Sequence, residues 1–138
     1  MVTTRPIDAG QLRAALVPVL DWLDGTAEQP ARPVLAAAVR TSLRAFAQHH
    51  PGKAVEVRVP PFAAVQCLAG GAHTRGTPPH VVETDARHWL ALATGRLDWA
   101  GAVAEGAVSA SGHRADEVGA LLPLGIASRL RDTLRDTE

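Results

Sequence analysis

Residues 54–67 read AVEVRVPPFAAVQC, and the period of this stretch decides the fold. Val55, Val57 and Val59 alternate with Ala54, Glu56 and Arg58, the two-residue repeat of a strand with one buried and one wet face. Pro60-Pro61 cannot continue a central ladder, so the strand breaks or bends there. FAAVQCLA, residues 62–69, is a second extended segment, and Gly70-Gly71 turns the chain. HVVE, residues 80–83, makes a short third strand, and AVSAS, residues 107–111, an alternating strand that ends at Gly112.

On either side of these strands the period becomes helical. Leu12, Leu16, Leu20 and Leu23 form a stripe over residues 8–24 that stops at Gly25, with Pro18 inside it expected to kink or split the helix. After the linker TAEQPARP, Pro33 suits the first turn of a second helix. Leu35, Val39, Leu43 and Phe46 share one of its faces, and His49-His50-Pro51-Gly52 ends it. Residues 84–95 give the clearest helix: Thr84 or Asp85 caps it, Ala86, Trp89, Leu90 and Ala93 repeat at helical spacing, and Gly95 terminates it. Asp98 can cap a further short helix carrying Trp99, Ala102 and Val103. ADEVGALLPL supplies another, followed by a tail with Ile126, Leu130 and Leu134 at helical spacing. The order is helices, strands, a helix pair, a strand and a helix. It predicts an α+β fold, with wet-faced strands in a largely antiparallel sheet covered by helices on one side.

At 138 residues the chain reads as one domain, 1–138, with a helical part over 1–50, a strand region over 53–82 and a tail over 125–138. A domain of this size buries roughly 68% of its unfolded surface and needs no disulfide to fold. Cys67 is the only cysteine, which suits a reducing compartment. Asp8, Gln11 and Arg13 interrupt the region where a signal peptide would be apolar, and no window approaches the ~20 apolar residues of a membrane span. The expectation is a cytoplasmic protein without stable membrane insertion. Fourteen basic and fourteen acidic side chains cancel, which argues against nucleic acid as the main ligand.

Residues 73–85, HTRGTPPHVVETD, gather the most reactive side chains, but their parts separate. Val81-Val82 belong to a strand, Asp85 to a helix cap, and Pro78-Pro79 to a turn. His73, Thr74, Arg75 and His80 are left without a structural role. No pair among His73, His80, His88 and His113 has the two-to-four-residue spacing that brings metal ligands together, so no metal is expected. Cys67 lies in an apolar strand, where burial raises a thiol's pKa and leaves it inert. Ser109 and Ser111 lack the G-x-S-x-G elbow, and GGAHTRG lacks the Walker spacing. No catalytic constellation assembles, and neither an enzyme nor a cofactor is expected.

The landmarks of residues 83–124 are Asp85 then Trp89, followed by Leu92, Thr94 and Gly95, the Ala102–Gly106 stretch, Ser111-Gly112, and Leu121-Leu122. In that order they resemble the C-terminal half of the sterol carrier protein domain. VRVPPFAAVQC together with HTRGTPPHVVETD resembles its actinobacterial branch, which includes a mycobacterial member linked to survival in macrophages. The resemblance implies about five strands and helices enclosing an apolar tunnel. It also implies non-catalytic binding or transfer of a lipid, fatty acyl group or sterol. On that reading Phe62, Trp89, Leu90, Leu97, Trp99, Val103, Leu121 and Leu122 line the pocket, and Gln66, His73 and Arg75 supply polar contacts, Arg75 to a carboxylate. The alternatives are a protein-interaction module, with a homodimer or protein partner formed through the N-terminal half, and an accessory domain in mycothiol-dependent chemistry.

Overall fold

The computed structural model describes residues 5–70, 80–127 and 130. The elements run α1 Ala9–Leu23, α2 Arg32–His49, β1 Val55–Val59, β2 Ala63–Cys67, β3 His80–Thr84, α3 Ala86–Ala93, α4 Trp99–Ala104, β4 Val108–Ser111 and α5 Asp116–Ala120. The α+β class holds.

Local chemistry accounts for most of the element boundaries. Asp8 closes a capping box on α1, its carboxylate accepting from the Gln11 amide at 2.7 Å while the Gln11 side chain accepts from the Asp8 amide at 3.0 Å. Asp85 and Asp98 cap α3 and α4 by accepting from the amides of His88 and Gly101. Pro18 does not split α1. It sits on the exposed face, where the carbonyl that loses its partner meets water, and the helix runs on through it. Pro60 and Pro61 end β1, and the chain resumes as β2 three residues later.

The sheet has the order β2-β1-β3-β4. The expectation of about five, largely antiparallel strands is corrected in both respects. Among the described residues there are four, matching the four extended segments of the sequence, and the pairing is mixed. β1 pairs antiparallel with β2, with Val55 opposite Cys67, and parallel with β3, with Val55 opposite His80; β3 pairs antiparallel with β4. The parallel pair has a simple cause. The β1–β2 hairpin returns the chain to the end where β1 began, so a β3 entering there on the other side of β1 runs in the same direction. Alternation of wet and dry residues marks faces and is silent on direction.

One face of the sheet is sealed. Val55, Val57, Val59 and Cys67 have no exposure and Val82 has 1%, and they join Leu35, Val39, Leu43 and Phe46 of α2 in one core. α2 lies against β2, α1 packs on α2, and α3 touches both helices. The other face carries Glu56, Arg58, Gln66 and Glu83, at least partly open to water, with Arg58 and Glu56 paired. Burying the three β1 valines contributes roughly 1.5–3 kcal/mol each.

The end of α2 is locked to the sheet. The Leu68 amide donates to the His50 carbonyl at 2.8 Å, and the Ala54 amide donates to the Leu68 carbonyl at 3.0 Å. Gly52 passes so close to Leu68 that a Cβ there would overlap the Leu68 carbonyl, and its φ of 149° favours glycine as well. This crossing fixes where His49 and His50 stand.

Candidate ligand-binding cleft

Three segments distant in sequence meet at the C-terminal end of α2. Ile7, Asp8, Ala9 and Leu12 come from the start of α1, Ala45, Phe46, His49 and His50 from α2, and Leu121, Leu124, Gly125 and Ile126 from beyond α5. Between them lies a cleft of about 400 Å³, within the size range of small-molecule pockets. Leu12, Phe46, Leu124 and Ile126 are buried and form its apolar floor, with Leu121 half-buried beside them.

The backbone holds the walls in place. The Ile7 amide donates to the Gln48 side chain at 2.7 Å, and Gln48 donates back to the Arg5 carbonyl at 3.2 Å, tying the entry of α1 to the last turn of α2. The Leu124 amide donates to the Ala93 carbonyl at 2.9 Å, which seats the third segment on the end of α3. Beneath the floor, Phe46 meets Trp89 edge-on at 5.9 Å, and the His50 ring lies 5.0 Å from Phe46.

Asp8, His49 and His50 form the polar rim. The Asp8 carboxylate is engaged as the helix cap. His49 Nδ1 lies 3.0 Å from the Ala45 carbonyl, which can only accept, so Nδ1 carries a proton there. Burial, and secondarily the charge of His49, lowers the His50 pKa from its ordinary value and favours its neutral form. The rim therefore sets a carboxylate committed to capping and a His50 ring favoured in its neutral form around an apolar floor, a surface suited to holding an apolar molecule.

The residues singled out in the sequence are dispersed. Trp89 and Leu90, 1% and 0% exposed, lie in the closed core. The Trp89 indole N–H donates to Ser42 Oγ at 2.9 Å, and that hydroxyl donates to the Ala38 carbonyl at 2.7 Å. Leu97, Trp99 and Leu122 share a separate recess of about 310 Å³ with Leu92, Gly119 and Pro123. There the Trp99 N–H donates to Asp116 at 3.0 Å. Val103 packs at the edge of the core, Phe62 lies in another groove, and Gln66 points out from the open sheet face. Leu121 alone of these lines the cleft, and His73 and Arg75 lie outside the described residues. Helical spacing marks Leu12 and Phe46 as core-facing and His49-His50 as the end of α2, and no pattern in the sequence points Ile7, His49 or His50 at a cleft. The usable signal was the histidine pair placed one turn after Phe46, the last residue of the α2 apolar stripe.

Cys67 is fully buried, its thiol directed at the Val55 carbonyl at 3.6 Å, and burial pushes its pKa up to about 11. Among the described residues no group of three or more His, Cys, Asp or Glu side chains is placed to hold a metal ion. No helix among them is long and apolar enough to cross a membrane.

The fold and cleft define a small α+β domain with one sealed sheet face and an apolar recess at the junction of its helices. A family model described as "Bacterial SCP ortholog" matches residues 31–124, about two thirds of the chain, and the protein belongs to that sterol-carrier-like family. No curated protein matches the chain. The matched region contributes Ala45, Phe46, His49, His50, Leu121 and Leu124 to the cleft, while Ile7 to Leu12 and Gly125-Ile126 come from outside it.

Proposed function

We propose that the protein binds an apolar small molecule, a lipid, fatty acyl group or sterol, in the cleft between α1, α2 and the 121–126 segment, and carries it without chemical change. The observation that carries this reading is the cleft itself, whose apolar floor of Leu12, Phe46, Leu124 and Ile126 is bordered by a polar rim of Asp8, His49 and His50. Membership of a sterol-carrier-like family supports the same function. Each methylene that leaves water on entering the cleft contributes about 0.8 kcal/mol.

Gly125 offers a clean test. It lines the cleft and is exposed, and a Cβ built there meets no atom within 4 Å. Gly125→Phe is therefore expected to keep the fold and obstruct the cleft. Displacing two methylenes of ligand lowers affinity roughly tenfold. Native mass spectrometry of gently purified protein, then titration with palmitate, palmitoyl-CoA and cholesterol, reads the binding. A protein that co-purifies with no apolar ligand and gains no thermal stability from any of the three is not a carrier. Binding unchanged by Gly125→Phe would move the site out of this cleft.

A further inference from the structure

A second groove, of about 450 Å³, lies apart from the cleft and combines features that an apolar carrier does not require. It is formed by Trp22 at the end of α1, Gln29 of the linker, Arg32 and Leu35 of the first turns of α2, the Pro60-Pro61-Phe62 turn, and Asp85 to His88 at the start of α3. Two arginines enter it from different elements, and each rests on an aromatic ring. The Arg32 guanidinium sits 5.3 Å from the Phe62 ring centre, and that of Arg87 sits 4.8 Å from the Trp22 ring. Stacking orients a planar guanidinium and leaves its edge of N–H donors free for an oxyanion.

Among the described residues neither arginine forms an ion pair, whereas Arg58, Arg96 and Arg114 all do. Arg87 spends one N–H on the Leu23 carbonyl at 3.5 Å, a long contact. The single carboxylate lining the groove, Asp85, is already engaged as a cap by the His88 amide and faces the His88 ring at 2.8 Å. Both arginines also stand in the first turn of a helix, where the macrodipole disfavours a cation. One groove thus receives two arginines, both placed against the local helix field, with a single engaged carboxylate beside them, and an anion supplies the missing countercharge.

We propose that this groove binds a small organic phosphate. The two guanidinium groups take the phosphate dianion from two sides, and the organic part lies on Leu35 and Pro60-Pro61. Two forks match a dianion better than a single carboxylate, which one arginine satisfies.

The test is titration of the ¹⁵N-labelled full chain with phenyl phosphate, with phenol and inorganic phosphate as controls. Vesicles of phosphatidylglycerol are compared in parallel with vesicles of phosphatidylcholine. The expected result is saturable movement of the Trp22 indole and the Arg32 and Arg87 Nε–H resonances with phenyl phosphate, weaker movement with inorganic phosphate and none with phenol. Arg32→Gln and Arg87→Gln should each weaken binding roughly tenfold or more, since each removes a charge-assisted contact. Arg87→Lys, which keeps the charge and loses the fork, should fall between. An unmoved Trp89 indole signal, from the hydrogen bond to Ser42, reports that each variant is folded. The proposal is overturned if phenol acts as phenyl phosphate does or if the Gln variants bind as the parent does. It is equally overturned if only phosphatidylglycerol vesicles engage the arginines, because the occupant is then a membrane surface.

Discussion

Replacing Ser42 with alanine tests whether Trp89 is part of the framework or part of a ligand site. Ser42 is fully buried on α2 and its Oγ is the acceptor for the Trp89 indole N–H at 2.9 Å, across the α2–α3 interface. Alanine removes that acceptor and leaves a donor sealed in the core, at a cost of about 1–3 kcal/mol. The Ala38 carbonyl also loses the Ser42 hydroxyl at 2.7 Å, but it keeps its own helical bond, so this loss is small. Alanine recovers a few tenths of a kcal/mol through its better helix propensity. The net destabilisation should be about 1–2 kcal/mol, a fall in melting temperature of roughly 3–6 °C for a domain of this size. Urea titration with an unchanged m-value measures it. Trp89→Phe supplies the control, because phenylalanine has no donor to strand. In that background Ser42→Ala should cost less than about 0.5 kcal/mol, giving a coupling of at least about 0.5 kcal/mol over the double-mutant cycle. Equal costs in the two backgrounds would refute the hydrogen-bond account of Trp89. Because neither Ser42 nor Trp89 lines the cleft, Ser42→Ala should leave ligand affinity there within about twofold wherever the protein remains folded.

Gly119→Ala places a Cβ inside the Trp99 ring and should displace the indole, breaking its bond to Asp116, lowering stability by about 1–3 kcal/mol and red-shifting tryptophan emission; unchanged emission would show that the ring does not rest on this glycine. The Cys67 thiol, raised to about 11 by burial, should react with a thiol reagent at pH 8 only at the rate of unfolding, and its stabilisation should disappear as pH rises from its unfolded value towards 11; fast stoichiometric labelling of the native chain would contradict its burial. His50 and His80 are both held below their ordinary value, His50 by burial and then by His49. His80 is lowered by burial first, then by His113 at 4.6 Å and by Arg114, against a smaller opposing pull from Glu117. Such groups stabilise the fold fully above their unfolded pKa, near 6.5, and the stability is lost as pH falls through the window below it. The urea midpoint should therefore drop between pH 6.5 and 5, and His50→Gln with His80→Gln should flatten that drop; an identical slope in the double variant would sink the assignment.

The parts of this molecule that could be read from sequence are those set by neighbours along the chain. Alternation over Val55 to Val59 gave a strand, Asp8, Asp85 and Asp98 stood where caps are needed, and Pro60-Pro61 marked a break, because each depends on a few adjacent residues. Pro18 is the instructive exception: local chemistry says that a bond is lost, and only the exposure of that helix face shows that water can replace it. Strand direction also escaped, since His80 lies beside Val55 through the path of the connection and not through any property of either strand.

The cleft was hidden for a stronger reason. Its floor residues carry the same helical spacing as the core, and periodicity assigns a leucine to a face without saying whether another element covers that face. Leu12 and Phe46 border a cavity because the start of α1 and the end of α2 meet there, and because the Leu124 amide anchors the third wall to Ala93 at the end of α3. Trp89 has the larger side chain and the stronger pattern, yet it is sealed because Ser42 and Phe46 happen to face it. Large apolar residues mark where burial energy is concentrated, whereas a binding site lies where that burial is left incomplete. In this chain the incompleteness is created by three segment ends, which is why the residues to test first are the small ones at the edge, Ala9 and Gly125, and not the tryptophans.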